Sequence, residues 1–187
     1  MAFEVKTGTT SGGAPWEMKV LSLNKAVAVW SRIMHNYGRV NHDHHVSMGL
    51  GLETHACRVT IHSPEELHVI FEKLEAWMKI VGYSRKDIFA VLLSFSEAAG
   101  NAVRHGNQGD PQVPYQVSYL VWPHEVWVAV EDEGPGFDWQ QLSDPLTGNN
   151  VGRPSGRGLF LMRAYMHWVC FNPRGNRVCL GRRRSTE

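Results

Sequence analysis

Cysteine is scarce in this chain of 187 residues, and its three copies, Cys57, Cys170 and Cys179, form neither a CxxC pair nor an evenly paired secreted-type framework. Disulfide staples are therefore not expected, and free thiols in a reducing compartment are. Long hydrophobic runs are missing as well. No stretch reaches the roughly 18 to 20 apolar residues of a membrane span, and the N-terminus lacks a basic region followed by a continuous apolar core. The reading is a cytoplasmic protein with no membrane partner. Charge of one sign is also lacking, since 19 Lys and Arg nearly cancel 18 Asp and Glu, leaving no broad field to draw the chain onto nucleic acid. Arg182, Arg183 and Arg184 make a small basic patch that reads as a solvated C-terminal end. No Gly-Lys-Ser or Gly-Lys-Thr occurs, which excludes a Walker A loop.

What is present fits one domain plus extras. Residues 1–53 read as an N-terminal extension, partly flexible, with a loop-forming run from Thr7 to Pro15 and a His-rich stretch from His35 to His45. Between them Leu21, Leu23, Val27, Trp30 and Met34 roughly follow helical spacing, so Val20 to Met34 is expected to form a short helix packed on the main domain. His42, His44 and His45, with Asp43 and His35 nearby, could ligate zinc or another transition ion. Consecutive histidines cannot all face one ion without an irregular backbone, and a flexible polar loop explains them equally.

The domain proper is expected over residues 54–187. Cys57, Val59 and Ile61 alternate with polar neighbours as in a half-buried strand. Ser63, Pro64 and Glu66 then supply a cap, a first-turn proline and a capping-box carboxylate for a helix bearing Leu67, Ile70, Phe71, Leu74, Trp77 and Met78, which Gly82 ends. Ser84 and Asp87 repeat the capping arrangement for a second helix running to about His105 and stopped by Gly106. Tyr115 to Val121 and Val126 to Val130 alternate as two strands paired across Pro123 to Glu125. A polar Gly- and Pro-rich stretch from Gly134 to Arg157 precedes a third helix through Leu159 to Tyr165, and Trp168–Phe171 with Val178–Leu180 form a last hairpin. This order implies an α+β fold with a helix layer on one face of a mixed sheet.

Three strings could carry chemistry. Glu97 and Asn101 stand four apart on the second helix and share a face, with His105 continuing the row. A carboxylate there can polarise a hydroxyl, and an amide oxygen suits Mg²⁺. A wet helix face would have the same spacing. Gly100, costly inside a helix by about 1 kcal/mol relative to alanine, signals a close approach. Asp132, at a strand end and followed by Gly134 and Gly136, can accept a hydrogen bond from an exocyclic amine such as that of adenine, although a tight turn with a solvated Asp reads the same way. Gly156, Arg157, Gly158 and Leu159 open the third helix, where backbone amides favour anions and Arg157 or Arg153 could fork onto a terminal phosphate. A plain Gly-rich helix start is the alternative.

Taken together, SEAAGNAVRHG at 96–106, DEGPGFD at 132–138 and GRGLFLMR at 156–163 resemble the N, G1 and G2 boxes of GHKL ATPases, and more closely the anti-sigma factor serine/threonine kinases of bacterial switch pathways. The resemblance covers about residues 54–184. It implies a two-layer α/β sandwich of the Bergerat type, with a mixed, mostly antiparallel sheet covered on one face by about three helices. It implies ATP and Mg²⁺ as cofactors, Glu97 as catalytic base, Asn101 as metal ligand and Asp132 as adenine reader. Gly134 and Gly136 would shape the base pocket, while Gly156, Arg157, Gly158 and Leu159 close over the phosphates beneath a lid from about Asp138 to Ser155. His105 would be a further nucleotide contact. The implied partners are a STAS-type anti-sigma factor antagonist as substrate, a sigma factor, and a second copy of the chain in a homodimer. The chain departs from the pattern at His167 and Trp168, where such kinases often carry acids, and at Gly175, Asn176 and Arg177, where a glycine and threonine are usual. These departures motivate a second reading, a nucleotide-dependent protein-binding module without kinase activity.

Overall fold

Period-two alternation builds an antiparallel sheet, and the structure, a computed structural model, describes residues 44–48, 52–138 and 157–186. Its strands are β1 (His44–Met48), β2 (Leu52–Ile61), β3 (Tyr115–Val121), β4 (Glu125–Glu131), β5 (Trp168–Phe171) and β6 (Arg177–Arg183), in the order β1-β2-β3-β4-β6-β5. The helices are α1 (Pro64–Val81), α2 (Arg85–Asn101) and α3 (Arg157–Tyr165). The expected α+β, two-layer class is what is observed. Every ladder among the described residues is antiparallel, so the parallel component of a mixed sheet is not found there. The cause is topological: α1 and α2 form an out-and-back pair between β2 and β3, which reverses the chain where one crossover helix would preserve its direction.

β1 was not expected, because it starts at the end of the His-rich stretch and its sequence, HHVSM, alternates over only three residues. It pairs with β2 from His44 opposite Ala56 to Met48 opposite Leu52. Among the described residues no group of three or more His, Cys, Asp or Glu is placed to hold a metal. His35, His42, Asp43, the Val20 to Met34 segment and residues 139–156 lie outside the described residues.

The helices cover the sheet face formed by Cys57, Ile61, Val117, Tyr119, Val121, Val126, Val128, Val130 and Leu180, against which Ile70, Leu74, Met78, Ile88, Val91 and Phe95 are buried. Hydrophobic burial on this scale supplies the main driving force for the fold. On the other face Trp127 and Trp168 stack with centroids 5.2 Å apart. Gly181 lies between them, where a Cβ would stand 2.8 Å from both rings. No helix among the described residues is long and apolar enough to cross a membrane.

The helix ends follow the sequence signals closely. Ser63 Oγ accepts the Glu66 amide at 3.3 Å, and Glu66 reaches back to the His62 amide at 2.7 Å, one residue beyond the cap amide expected. Gly82 closes α1 with φ +88°, and the Gly82 and Tyr83 amides donate to Lys79 and Met78 carbonyls at 3.0 and 2.9 Å.

At α2 the cap does more than expected. Ser84 Oγ accepts the Asp87 amide at 3.1 Å, while the fully buried Asp87 carboxylate takes Arg182 Nη2 at 2.7 Å and Arg182 Nε at 2.8 Å. The Ser185 amide and hydroxyl also donate to it, at 2.9 and 2.8 Å. Burial alone would push the Asp87 carboxyl up, but the bonds from Ser185, Arg182 and Ser84 together hold it below its ordinary value. The solvated C-terminal end is thus corrected: Arg182 belongs to β6 and anchors it to α2, Arg183 lies 5.0 Å over the Trp168 ring, and Arg184 donates to the Val81 carbonyl at 2.8 Å.

Candidate active site

The last turns of α2 present Glu97 and Asn101 one turn apart, both partly buried. Across from them α3 begins, and Gly158 in its first turn lies directly on the pair. A Cβ at Gly158 would stand 2.7 Å from Glu97 Oε2 and 3.6 Å from both Oδ1 and Nδ2 of Asn101. Only glycine allows this approach with the carboxylate where it is. Farther along, Phe89 on α2 meets Tyr165 on α3 edge-on at 5.8 Å, and Met162 is buried beneath α3. The helices therefore converge as a unit on the carboxylate and the amide.

Immediately after Asn101 the helix widens into a π-helical turn over Ala102–Gly106, closed by the Asn107 amide on the Ala102 carbonyl at 2.8 Å. Such turns are rare and frequently mark functional sites. This turn carries the chain from the metal-suited Asn101 to Gly106, which packs on Asp132. A side chain at Gly106 would overlap the Asp132 carboxyl group, and one at Gly134 would meet the Gly106 Cα at 2.6 Å. His105, on the same turn, is exposed.

Asp132 sits at the end of β4, half-buried, with Oδ1 accepting the Gly134 amide at 2.9 Å. Burial raises its carboxyl above the usual range, outweighing the Gly134 amide bond and the attraction of Arg174 that lower it. A carboxyl held in a partly dry cleft with one oxygen fixed by its own turn can recognise a hydrogen-bond donor on a ligand.

The segment after Asp132 is held by the β5–β6 turn. Gly136 takes φ +76° against the Arg174 carbonyl, and Gly175 takes φ +78° against Phe137. Asn176 occupies one of the positions where the chain departs from the resembling pattern, and its side chain is spent internally. Its Nδ2 donates to the Asp132 carbonyl at 2.5 Å and its Oδ1 accepts from Asn172 at 2.8 Å, while the Asp132 amide donates to the Asn176 carbonyl at 3.0 Å. Asn176 therefore clamps the backbone of Asp132. His167, at the other departure, is exposed and accepts the Arg183 amide at 3.2 Å, whereas Trp168 is buried.

The structure thus brings together Glu97, Asn101 and Gly158 at one end, and Asp132, Gly134 and Gly106 at the other, linked by the π-helical turn. Leu159 packs at the edge of the core, and Arg157 is exposed at the start of α3. Arg153 and Gly156 lie outside the described residues. One site residue escaped the sequence reading. Arg104 folds back so that Nη2 donates to Asn101 Oδ1 at 3.1 Å and lies 3.7 Å from Glu97 Oε2. Its i, i+4, i+7 relation to Glu97 and Asn101 was the available signal.

Mg²⁺ is a hard cation that keeps several waters and takes oxygen ligands from one or two side chains plus phosphates. An amide oxygen already engaged by a cationic guanidinium, beside a carboxylate and under a glycine, fits that chemistry.

A family model described as histidine kinase-like ATPase domain matches residues 60–182. The chain is 31% identical over 91 residues to serine-protein kinase RsbW of Listeria monocytogenes (strain EGD-e), the match covering 46% of this chain and 58% of that protein. It is 30% identical over 112 residues to serine-protein kinase RsbW of Bacillus subtilis (strain 168), covering 57% and 70%. With its counterpart in Bacillus licheniformis the figures are 30% over 115 residues, 57% and 70%. The match to the Listeria protein spans little more than half of that relative's length.

Proposed function

We propose a function for a chain that belongs to the histidine kinase-like ATPase family, and within it to the GHKL-type anti-sigma factor kinases: it moves the terminal phosphate of ATP onto a protein hydroxyl. The acceptor is a serine or threonine of a small STAS-type anti-sigma factor antagonist. When unphosphorylated antagonist is scarce, the protein sequesters a sigma factor. It acts in the cytoplasm as a homodimer, through protein contacts and not through nucleic acid or membrane.

The observation that carries this reading is the convergence of Gly158 on Glu97 and Asn101. In it, Glu97 accepts the hydroxyl proton of the attacking serine or threonine as the phosphorus–oxygen bond to ADP breaks. Asn101 offers its amide oxygen to Mg²⁺, which when bound neutralises charge on the phosphate oxygens. Asp132 accepts from the exocyclic amine of adenine, and Gly134 and Gly136 let the backbone approach the ring. The amides at the start of α3, with Arg157, bind the phosphates, Arg153 and Gly156 are assigned to the same contact, and His105 is a further nucleotide contact.

Incubation with labelled ATP and a purified antagonist tests the proposal. Label is expected on a serine or threonine of the antagonist, and Glu97→Ala is expected to keep ATP binding while losing transfer. Absence of transfer to any antagonist overturns it.

The ion pair between Arg104 and Glu97 favours a second reading, because the guanidinium occupies the carboxylate that would otherwise take the hydroxyl proton. In that reading nucleotide binding sets the shape of a partner surface and no phosphate moves. Tight ATP binding without turnover supports it, and stoichiometric phosphorylation of the antagonist removes it.

A further inference from the structure

Glycine in the middle of a helix is unfavourable, and Gly100 has a visible occupant for the space it leaves. A Cβ there would stand 2.8 Å from Nη1, 3.0 Å from Nη2 and 3.2 Å from Cζ of Arg104. The terminal nitrogens of the guanidinium lie against this bare stretch of α2, and Nη2 donates to Asn101 Oδ1 at 3.1 Å and pairs with Glu97 Oε2 at 3.7 Å. Its side chain is 57% exposed, so it has an open path away.

Resting on the nucleotide reading of this site, we infer that Arg104 is a resident cation that competes with the divalent metal for Asn101 and Glu97, and that loading the site requires its departure. Two cations cannot share one amide oxygen and one carboxylate without mutual repulsion, and both use the same acceptors. While Arg104 is seated, Glu97 is neutralised by a partner on its own helix and Asn101 is engaged. When Arg104 leaves, both acceptors face the metal and the hydroxyl. Arg104 is thus a positioning residue that sets how much metal the site demands, and Gly100 is the feature that makes room for it.

Two substitutions unseat the guanidinium in different ways. Arg104→Gln removes the charge. Gly100→Ala keeps it, but places a methyl group where the flexible tip of the arginine lies, and alanine favours the helix. The test titrates the whole protein with Mn²⁺ alone, and then with Mn²⁺ at saturating ATP, following bound metal by electron paramagnetic resonance. With metal alone, both variants are expected to bind at least fivefold more tightly than the natural chain, and Glu97→Gln added to Arg104→Gln should abolish that gain. Arg104→Lys should retain the weak affinity of the natural chain. Equal or weaker metal binding in Arg104→Gln and Gly100→Ala overturns the inference. Failure of the nucleotide reading shows separately, as absence of ATP-dependent metal binding in every protein whatever the metal-alone arm gives.

Discussion

Gly158 in the first turn of α3 presses on Glu97 of α2 so closely that a methyl group there would stand 2.7 Å from Oε2. Gly158→Ala must therefore turn the Glu97 carboxylate out of its place, while alanine suits the helix itself at least as well as glycine. Phosphate transfer is expected to fall tenfold or more with no loss of thermal stability. A variant with unaltered transfer would show that Glu97 need not hold its observed position.

Asp87 and Arg182 join elements 95 residues apart through a pair in which Asp87 is 0% and Arg182 11% exposed. Removing one partner of a buried pair leaves an unpaired charge, so Asp87→Ala should cost about 3 to 5 kcal/mol in chemical denaturation. Because the folded carboxyl is held below its ordinary value, its contribution is present above the unfolded aspartate value of about 3.9 and is lost as pH falls through the folded one. Acid titration of stability in the natural chain should show this fall, and Asp87→Ala should flatten it.

Asp132 carries the opposite sign. Burial raises its carboxyl, so the folded state holds that proton more tightly than the unfolded chain, and its contribution to stability is lost as pH rises through the raised value. Asp132→Asn keeps an oxygen for the Gly134 amide and removes the buried charge. Its unfolding temperature at neutral pH should equal or exceed that of the natural chain. Its affinity for a fluorescent adenine nucleotide should fall at least tenfold, since an amide nitrogen replaces an acceptor.

Gly136 adopts φ +76° and faces the Arg174 carbonyl. Gly136→Ala therefore combines left-handed strain with a clash against backbone, for a cost on the order of 2 kcal/mol. A lowered urea midpoint together with weakened nucleotide binding is expected, since the same turn holds Asp132 through Asn176.

The parts of this molecule legible in the sequence are those written locally. Ser63, Pro64, Glu66 and Gly82 mark the ends of α1 within a few residues of where they act, and the valines of β4 alternate in plain view. The convergence of α2 and α3 was legible only through the joint order of three weak strings, because no spacing within one string shows that Gly158 meets Glu97. Three features were not legible. β1 alternates over only Val46 to Met48, too short a run to mark a strand, so its pairing with β2 defines it. The burial of Arg182 depends on Asp87, far away in the sequence, and a run of arginines reads as solvated until its partner is known. Arg104 stood at the right spacing but beside His105, whose position continues the same row, and nothing short of the geometry separates the inward arginine from the exposed histidine.

Glu97, Asn101 and Asp132 are proposed to line one Mg-ATP site. Calorimetric titration of the whole protein with ATP in the presence of Mg²⁺ tests it most directly, alongside Asn101→Ala. Saturable one-site binding to the natural chain is expected, strengthened by Mg²⁺, with an Asn101→Ala variant at least tenfold weaker and most of the Mg²⁺ dependence gone. No binding by the natural chain, or equal Mg²⁺-dependent affinity in the two proteins, would contradict it.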